Sequence, residues 1–99
     1  MTITKERNGD ALTAALSGRL DTTTSPELDE ALYDALDEIR DLTLDFTELN
    51  YISSAGLRVL LRFQRKMKAC SGRMKITGAN QSILEVFEIT GFSEILTIE

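Results

Sequence analysis

The stretch LDFTELNYISSAGLRVLL, residues 44–61, sets the fold that this sequence predicts. It opens within a short apolar strand, Leu42–Phe46, and continues through a polar segment, residues 47–50, that we interpret as a loop. Ser53 and Ser54 then precede apolar residues at helical spacing, and serine is a favoured cap at the start of a helix. The predicted order is therefore strand, loop and helix, with the helix running from about Ser54 to Ala69.

The segment before this stretch contains two predicted strands and one predicted helix. The strands are Ile3–Arg7 and Ala11–Leu16, joined by an Asn-Gly-Asp turn, and a Ser-Gly pair then ends the second strand or bulges it. The helix begins with Ser25, a favoured N-cap, and Pro26 suits the first helical position. Its apolar residues share one face that we expect to pack on a sheet: Leu28, Ala31, Leu32, Ala35, Leu36 and Ile39.

The segment after the second helix continues the alternation of strands and helices. We predict a strand at Met74–Thr77, a helix at Gln81–Thr90 with Gly91 as its C-cap, and a last strand or packed tail at Ile95–Ile98. Strands that alternate with helices indicate an α/β fold with a partly parallel sheet. A chain of 99 residues suits one domain, residues 1–99.

The composition argues against several classes of partner. The formal net charge is −5, whereas nucleic acid and anionic lipid are bound by clustered basic residues. No stretch approaches the ~20 apolar residues of a membrane span, and no apolar run follows the N-terminus as in a signal peptide. The single cysteine excludes an intrachain disulfide, which fits a reducing compartment. We predict a cytoplasmic protein that binds neither nucleic acid nor membrane.

The sequence also lacks the groups that most enzyme mechanisms use. It contains no histidine, which is the commonest general base and the commonest metal ligand. It has no glycine-rich phosphate loop, no dinucleotide-binding motif and no cysteine cluster for zinc. We interpret the carboxylates Asp45 and Glu48 as a solvated loop end. The prediction is a protein that is not an enzyme, with no metal site and no cofactor.

Three segments resemble the STAS domains of anti-sigma factor antagonists. The stretch quoted above resembles the signature of that family, and LSGRLD at residues 16–21 resembles the segment before its first helix. TGF at residues 90–92 resembles a late element of the family, and all three segments occur in its order and spacing. The resemblance implies a single STAS domain with a mixed four- to five-stranded sheet and helices packed mainly on one face.

The resemblance implies a protein switch. Family members of this size bind an anti-sigma factor serine kinase, which has a histidine-kinase-like ATPase fold, and this binding releases a sigma factor. The kinase phosphorylates a serine at the start of the second helix, the complex then dissociates, and a serine phosphatase restores the active form. The implied function is therefore that of an anti-sigma factor antagonist.

The position of the phosphorylated serine differs from that of the family. In the best-known members the motif reads Asp-Ser-Ser-Gly-Leu, and the serine before Gly-Leu accepts the phosphate. That position is Ala55 here, while Ser54 matches the preceding serine and Ser53 matches the aspartate. A shift of one residue turns a helical side chain by roughly 100°. We predict Ser54 as the phosphoacceptor, with Ser53 as the alternative acceptor and the better helix cap.

The resemblance implies a partner interface at the loops before the first and second helices. The predicted partner-binding residues are Asp21, Ser53, Ser54, Gly56 and Arg58. Several also have a structural explanation, since serine caps helices, aspartate holds turns, and glycine permits close packing.

Three other functions are alternatives to control of a sigma factor. A STAS partner switch can regulate a target other than a sigma factor, such as secretion or a phosphatase. A nucleotide- or lipid-binding STAS module would need a pocket, and an enzyme would need the catalytic groups that are missing. Identifying the bound protein from a native lysate by mass spectrometry separates the first of these from sigma-factor control.

Overall fold

A computed structural model describes residues 1–99 and contains five strands and three α-helices. The strands are β1 (Thr2–Asn8), β2 (Ala11–Leu20), β3 (Asp41–Ile52), β4 (Arg73–Thr77) and β5 (Thr97–Ile98). The α-helices are α1 (Ser25–Leu32), α2 (Ser54–Ala69) and α3 (Gln81–Thr90). Short 3-10 helices follow α1 and α3, at Asp34–Glu38 and Phe92–Glu94.

The five strands form one sheet in the order β1-β2-β3-β4-β5. β1 is antiparallel to β2, and every other neighbouring pair is parallel. A parallel pair needs a crossover connection, and here α1, α2 and α3 provide the three crossovers. All three helices therefore begin at the edge of the sheet where β2, β3 and β4 end.

One face of the sheet carries the core. Alternate residues of the central strands are buried on that face, and their neighbours on the other face, such as Thr13, Thr43 and Lys75, are exposed or half-buried. The buried strand residues pack with apolar residues of the helices: Leu12, Ala14, Leu16, Leu42, Leu44, Phe46, Met74 and Ile76 from the sheet, with Leu28, Leu32, Leu60, Phe63 and Phe87 from the helices. The predicted mixed sheet with helices on one face is confirmed.

Strand β3 is longer than predicted, because residues 47–50 belong to it and do not form a loop. Its pairing with β2 shifts register twice, between Ala15 and Ser17 and again between Gly18 and Arg19. Each shift adds a residue to β3 and resets which side chains face the core. The buried positions become Phe46, Leu49 and Ile52, three residues apart, which is not the alternation expected of a strand.

Helix α1 differs from the prediction at both ends. It begins at Ser25, whose buried hydroxyl donates to Asp21 O at 2.5 Å, so the predicted N-cap role of Ser25 is wrong. It ends at Leu32, and the chain continues as a 3-10 helix before it turns into β3. The tighter 3-10 turn still buries Leu36, and Ile39 is buried just beyond it.

The predicted bounds of α2 and α3 are confirmed. Ser53 is the N-cap of α2, and its Oγ accepts a hydrogen bond from Gly56 N at 3.4 Å. Gly91 is the C-cap of α3 with φ +80°, a left-handed conformation that glycine adopts readily. The tail contains the short strand β5, which pairs with β4.

Candidate functional site

The loops that follow β2 and β3 lie side by side at one edge of the sheet. The N–H of Ser53 donates to Leu20 O at 2.9 Å, and this bond ties the end of β3 to the end of β2. Asp21 follows Leu20, and Ser54 follows Ser53. The tie therefore brings together the two loops in which the sequence predicted the partner-binding residues.

The loop after β2 is organised by one carboxylate. Asp21 Oδ1 accepts hydrogen bonds from Thr23 N at 3.0 Å and Thr24 N at 3.1 Å, and Thr24 Oγ1 also donates to it at 3.2 Å. The hydrogen bond from the Thr24 amide is the largest of the effects that lower the pKa of Asp21, and Thr23 and Arg19 add to it. Asp21 thus holds a turn, which is the structural role expected of aspartate in such a loop, and it stays ionised at neutral pH.

Ser54 is exposed at the first position of α2. Ser53 Oγ accepts the capping bond of this helix, and no side-chain hydrogen bond involves Ser54 Oγ. Ala55, the next residue, is half-buried. Of the two serines, Ser54 therefore has the hydroxyl that is free for chemistry.

Arg58 lies one helical turn after Ser54 and is also exposed. It takes part in none of the six ion pairs of the molecule. Its guanidinium is therefore available to a partner or to a charge added nearby.

Gly56 is buried and lies inward from this surface. A Cβ at this position would lie 2.8 Å from both Leu20 Cγ and Ile52 Cγ1, which is closer than side chains tolerate. The glycine lets the first turn of α2 pack against the ends of β2 and β3. This packing supports the structural explanation of Gly56, and its predicted contact with a partner stays a prediction.

Comparison with known proteins identifies the family of this chain. The family model for the STAS domain matches residues 2–99. This chain belongs to the STAS domain family. The anti-sigma-B factor antagonist of Listeria monocytogenes is 32% identical over 97 residues, covering 96% of this chain and 84% of that relative. The anti-sigma-B factor antagonist of Bacillus subtilis is 25% identical over 93 residues, covering 94% of this chain and 85% of that relative.

Solved structures show the same fold at lower identity. The Bacillus cell fate determinant SpoIIAA in its phosphorylated form matches with a TM-score of 0.79 and 18% identity, covering 99% of this chain and 91% of that one. An anti-sigma factor antagonist from Mycobacterium paratuberculosis matches with a TM-score of 0.86 and 20% identity, covering 98% of this chain and 83% of that one. The predicted resemblance to STAS-domain anti-sigma factor antagonists is confirmed.

A third loop of the STAS domain, after β4, joins the same edge. Asn80 Oδ1 accepts from Ile83 N at 2.9 Å and so caps α3, and Asn80 Nδ2 donates to Leu49 O at 3.2 Å. Asn80 was not among the predicted residues, although an asparagine directly before a helical apolar run indicates an N-cap. A Cβ at Gly78, where φ is +72°, would overlap Thr47 Oγ1, so β3 and this loop pack closely.

The pair Arg19 and Tyr51 was also missed. The Arg19 guanidinium lies 4.2 Å from the centre of the Tyr51 ring, and Arg19 Nε lies 3.6 Å from Asp21 Oδ2. Tyr51 is 41% exposed, and aromatic side chains such as this one are enriched at protein interfaces. No local pattern indicates this pair, because the two residues become opposite each other only through the shifted register of β2 and β3.

The carboxylates Asp45 and Glu48 lie within β3 and not at a loop end. Thr47 Oγ1 donates to Asp45 Oδ1 at 2.6 Å, and this bond is the largest of the effects that lower the pKa of Asp45. The carboxylate is therefore engaged within its own strand.

A surface cleft lies elsewhere, at the edge where β3 and β4 begin. Its volume is about 560 Å³, and its lining includes Asp41, Gln64 and Arg73 but none of the predicted site residues. No group of three or more histidine, cysteine, aspartate or glutamate side chains is placed to hold a metal ion. None of the helices has the length and apolar character needed to cross a membrane.

Proposed function

We propose that this STAS domain is an anti-sigma factor antagonist that acts as a phosphorylation-controlled partner switch. In the unphosphorylated form it binds an anti-sigma factor serine kinase and thereby releases a sigma factor. The kinase phosphorylates Ser54, which ends the complex, and a serine phosphatase restores the binding form. The domain itself is non-catalytic, needs no cofactor and acts in the cytoplasm.

The observation that supports this proposal most directly is the environment of Ser54. Its side chain is exposed at the first position of α2, next to a loop that is hydrogen-bonded to the loop of Asp21. A kinase that docks on these two loops reaches the hydroxyl without unfolding any element. Ser53 is engaged as the helix cap, which makes it the weaker candidate acceptor.

The effect of phosphate on binding follows from its charge. A phosphoserine adds about −1.5 to −2 charges and three acceptor oxygens. The Asp21 carboxylate is already ionised in the adjoining loop, so the added phosphate meets like charge. Within a docked interface the phosphate must also lose its water, and that cost weakens the complex.

The relatives support the proposed partner class. The matched proteins of Listeria monocytogenes and Bacillus subtilis are named anti-sigma-B factor antagonists. SpoIIAA, which shares the fold, is described in a phosphorylated form. The partner of this chain is therefore proposed to be an anti-sigma factor with kinase activity.

Phosphopeptide mapping after incubation with the cognate kinase and ATP tests the proposal. We expect phosphate on Ser54, no phosphate uptake by Ser54→Ala, and unchanged uptake by Ser53→Ala. Ser54→Ala should still bind the kinase, because the lost hydroxyl makes no bond within the domain. Phosphate on Ser53 would move the acceptor by one residue and keep the switch. Absence of phosphate on both serines would contradict a phosphorylation switch.

A captured partner distinguishes sigma-factor control from the alternative targets. Ser54→Ala, used as bait in a native lysate, should bind the kinase. Because this variant cannot be phosphorylated at position 54, the kinase should stay bound to it. A retained kinase that binds no sigma factor would favour control of secretion or of a phosphatase.

A further inference from the structure

We infer that Arg58 receives the phosphoryl group of Ser54 and holds it in an intramolecular ion pair. The inference rests on the proposed phosphorylation of Ser54 and assigns to Arg58 a role in the phosphorylated state. In that state, the guanidinium donates hydrogen bonds to two phosphate oxygens, a geometry that arginine and phosphate adopt readily.

The spacing of the two residues supports the pair. Ser54 and Arg58 both lie in α2, four residues apart, and residues at this spacing are neighbours on one helix face. Side chains of a helix lean toward its N-terminus, so Arg58 leans toward Ser54. An acidic group four residues before a basic group is also the more favourable of the two orders.

The availability of Arg58 separates it from other cations of α2. Arg62 Nε lies 3.1 Å from Asp29 Oδ1, and Lys66 Nζ lies 3.2 Å from Asp37 Oδ1, so both are paired with residues of the preceding segment. Arg58 has no such partner and is exposed. It can therefore take up a new anion without breaking an existing ion pair.

The same spacing favours Ser54 over its neighbours as a phosphate position. Four residues after Ala55 lies Val59, which is 8% exposed, and four residues after Ser53 lies Leu57, which is 6% exposed. Neither could neutralise a phosphate. Among residues 53–55, only position 54 is followed by an exposed cation four residues later. Ser54 lies one residue before the usual acceptor position of the family, and the cation is placed to suit this shifted serine.

Arg19, near the end of β2, is a second candidate cation, and it is less suited to the role. Its guanidinium already contacts the Asp21 carboxylate and the Tyr51 ring, and both contacts would have to break. Arg58 loses no contact of this kind.

The pair gives phosphorylation a second effect on the binding surface. Arg58 is a predicted partner contact, so its capture by the phosphate withdraws a cation at the moment that negative charge is added. Both changes oppose a partner that docks through an acidic group near Arg58.

The second pKa of the phosphate provides the test. Phosphoserine is installed at position 54 by an expanded genetic code, and the phosphorus-31 chemical shift is titrated in the parent, Arg58→Gln, Arg58→Lys and Arg65→Gln. Arg58→Gln should raise the second pKa of the phosphate by about half a unit or more, because it removes a nearby cation that stabilises the dianion. The change is modest because the ion pair is exposed to solvent. Arg58→Lys should raise it less, and Arg65→Gln, an exposed arginine too far along α2, should leave it unchanged.

Equal pKa values in the parent and Arg58→Gln would overturn the inference. An additional Arg19→Gln variant identifies the competing pair, since a rise there alone would assign the phosphate to Arg19. Because the phosphate is installed during synthesis, these results do not depend on a kinase. A kinase that ignores Ser54 would contradict the proposed function, whereas equal pKa values would contradict only the role of Arg58.

Discussion

The Asp21 carboxylate organises the loop in which it was predicted to meet a partner. It accepts hydrogen bonds from two backbone amides and one hydroxyl of the following threonines. A substitution at Asp21 therefore changes the stability of the loop together with any partner contact. Arg58 forms no ion pair, so a change there reports on the partner more directly.

The stability contributed by the Asp21 charge should depend on pH. The folded pKa is lowered from the ordinary value, so the contribution is complete above the unfolded pKa of about 3.9 and is lost as pH falls through the folded pKa. Urea unfolding should show Asp21→Asn less stable than the parent at pH 7, with the difference shrinking below pH ~4. A difference that stays constant down to pH ~2 would show that the charge is not its source.

Gly56 is the residue whose role depends most on close packing. Gly56→Ala should lower the free energy of unfolding by about 1–3 kcal/mol, since the new Cβ overlaps Leu20 and Ile52 and this outweighs the better helix propensity of alanine. Chemical denaturation measures the loss, with the exposed neighbour Ser54→Ala as control at within about 0.5 kcal/mol. A loss at Gly56 no larger than in the control would mean that the first turn of α2 shifts without cost.

Among the elements, β3 and α1 show how the sheet changes local preferences. β3 carries two bulges, and its last three buried residues therefore lie three positions apart. The strand ends at Ile52, directly before the residue that caps α2. The α-helical part of α1 ends at Leu32, where Tyr33 contacts Lys66 Nζ at 3.7 Å from the ring centre and Arg62 at 4.1 Å. Contacts with α2 thus accompany the change from α-helix to 3-10 helix.

The packing of α1 on the sheet can be measured at Leu32, which is fully buried. Leu32→Ala should cost about 2–5 kcal/mol of unfolding free energy, from lost transfer energy and the cavity left behind. Thermal or urea unfolding gives the value, and Glu30→Ala on the exposed side of the same helix should stay within about 0.5 kcal/mol. A similar small cost at Leu32 would contradict the packing of this helix.

The two edges of the sheet, where the parallel strands begin and where they end, carry different features. The loops that precede α1, α2 and α3 gather at the edge where the parallel strands end, and the cleft lined by Asp41, Gln64 and Arg73 lies at the opposite edge. Helix α2 contains five basic residues and no acidic one, although the chain has a net charge of −5. The basic residues of α2 nearest these loops therefore carry a charge opposite in sign to the net charge of the molecule.

This arrangement predicts where a charge reversal affects binding. Arg58→Glu should weaken the complex with the cognate kinase at least tenfold, about 1.4 kcal/mol, because it replaces an exposed cation in the proposed interface with an anion. Arg40→Glu, an exposed arginine without an ion pair at the opposite edge, should bind like the parent. Isothermal titration calorimetry measures both affinities, and equal effects of the two variants would place the interface elsewhere.

Local patterns were sufficient for α2, α3, the N-cap Ser53, the C-cap Gly91 and the family, because helical spacing, capping serine and glycine, and the motif around residues 44–61 are all contiguous in the chain. The site could be predicted as two loops, with Ser53 as cap and Ser54 as exposed candidate acceptor. The bulged end of β3, the early end of α1, the burial of Gly56 and the contact of Arg19 with Tyr51 became evident from the folded chain. Each depends on residues 20 or more positions away, such as Leu20 against Gly56 and Arg19 against Tyr51. Burial and strand register are set by such distant neighbours, and a local pattern carries no information about which neighbour the fold will supply.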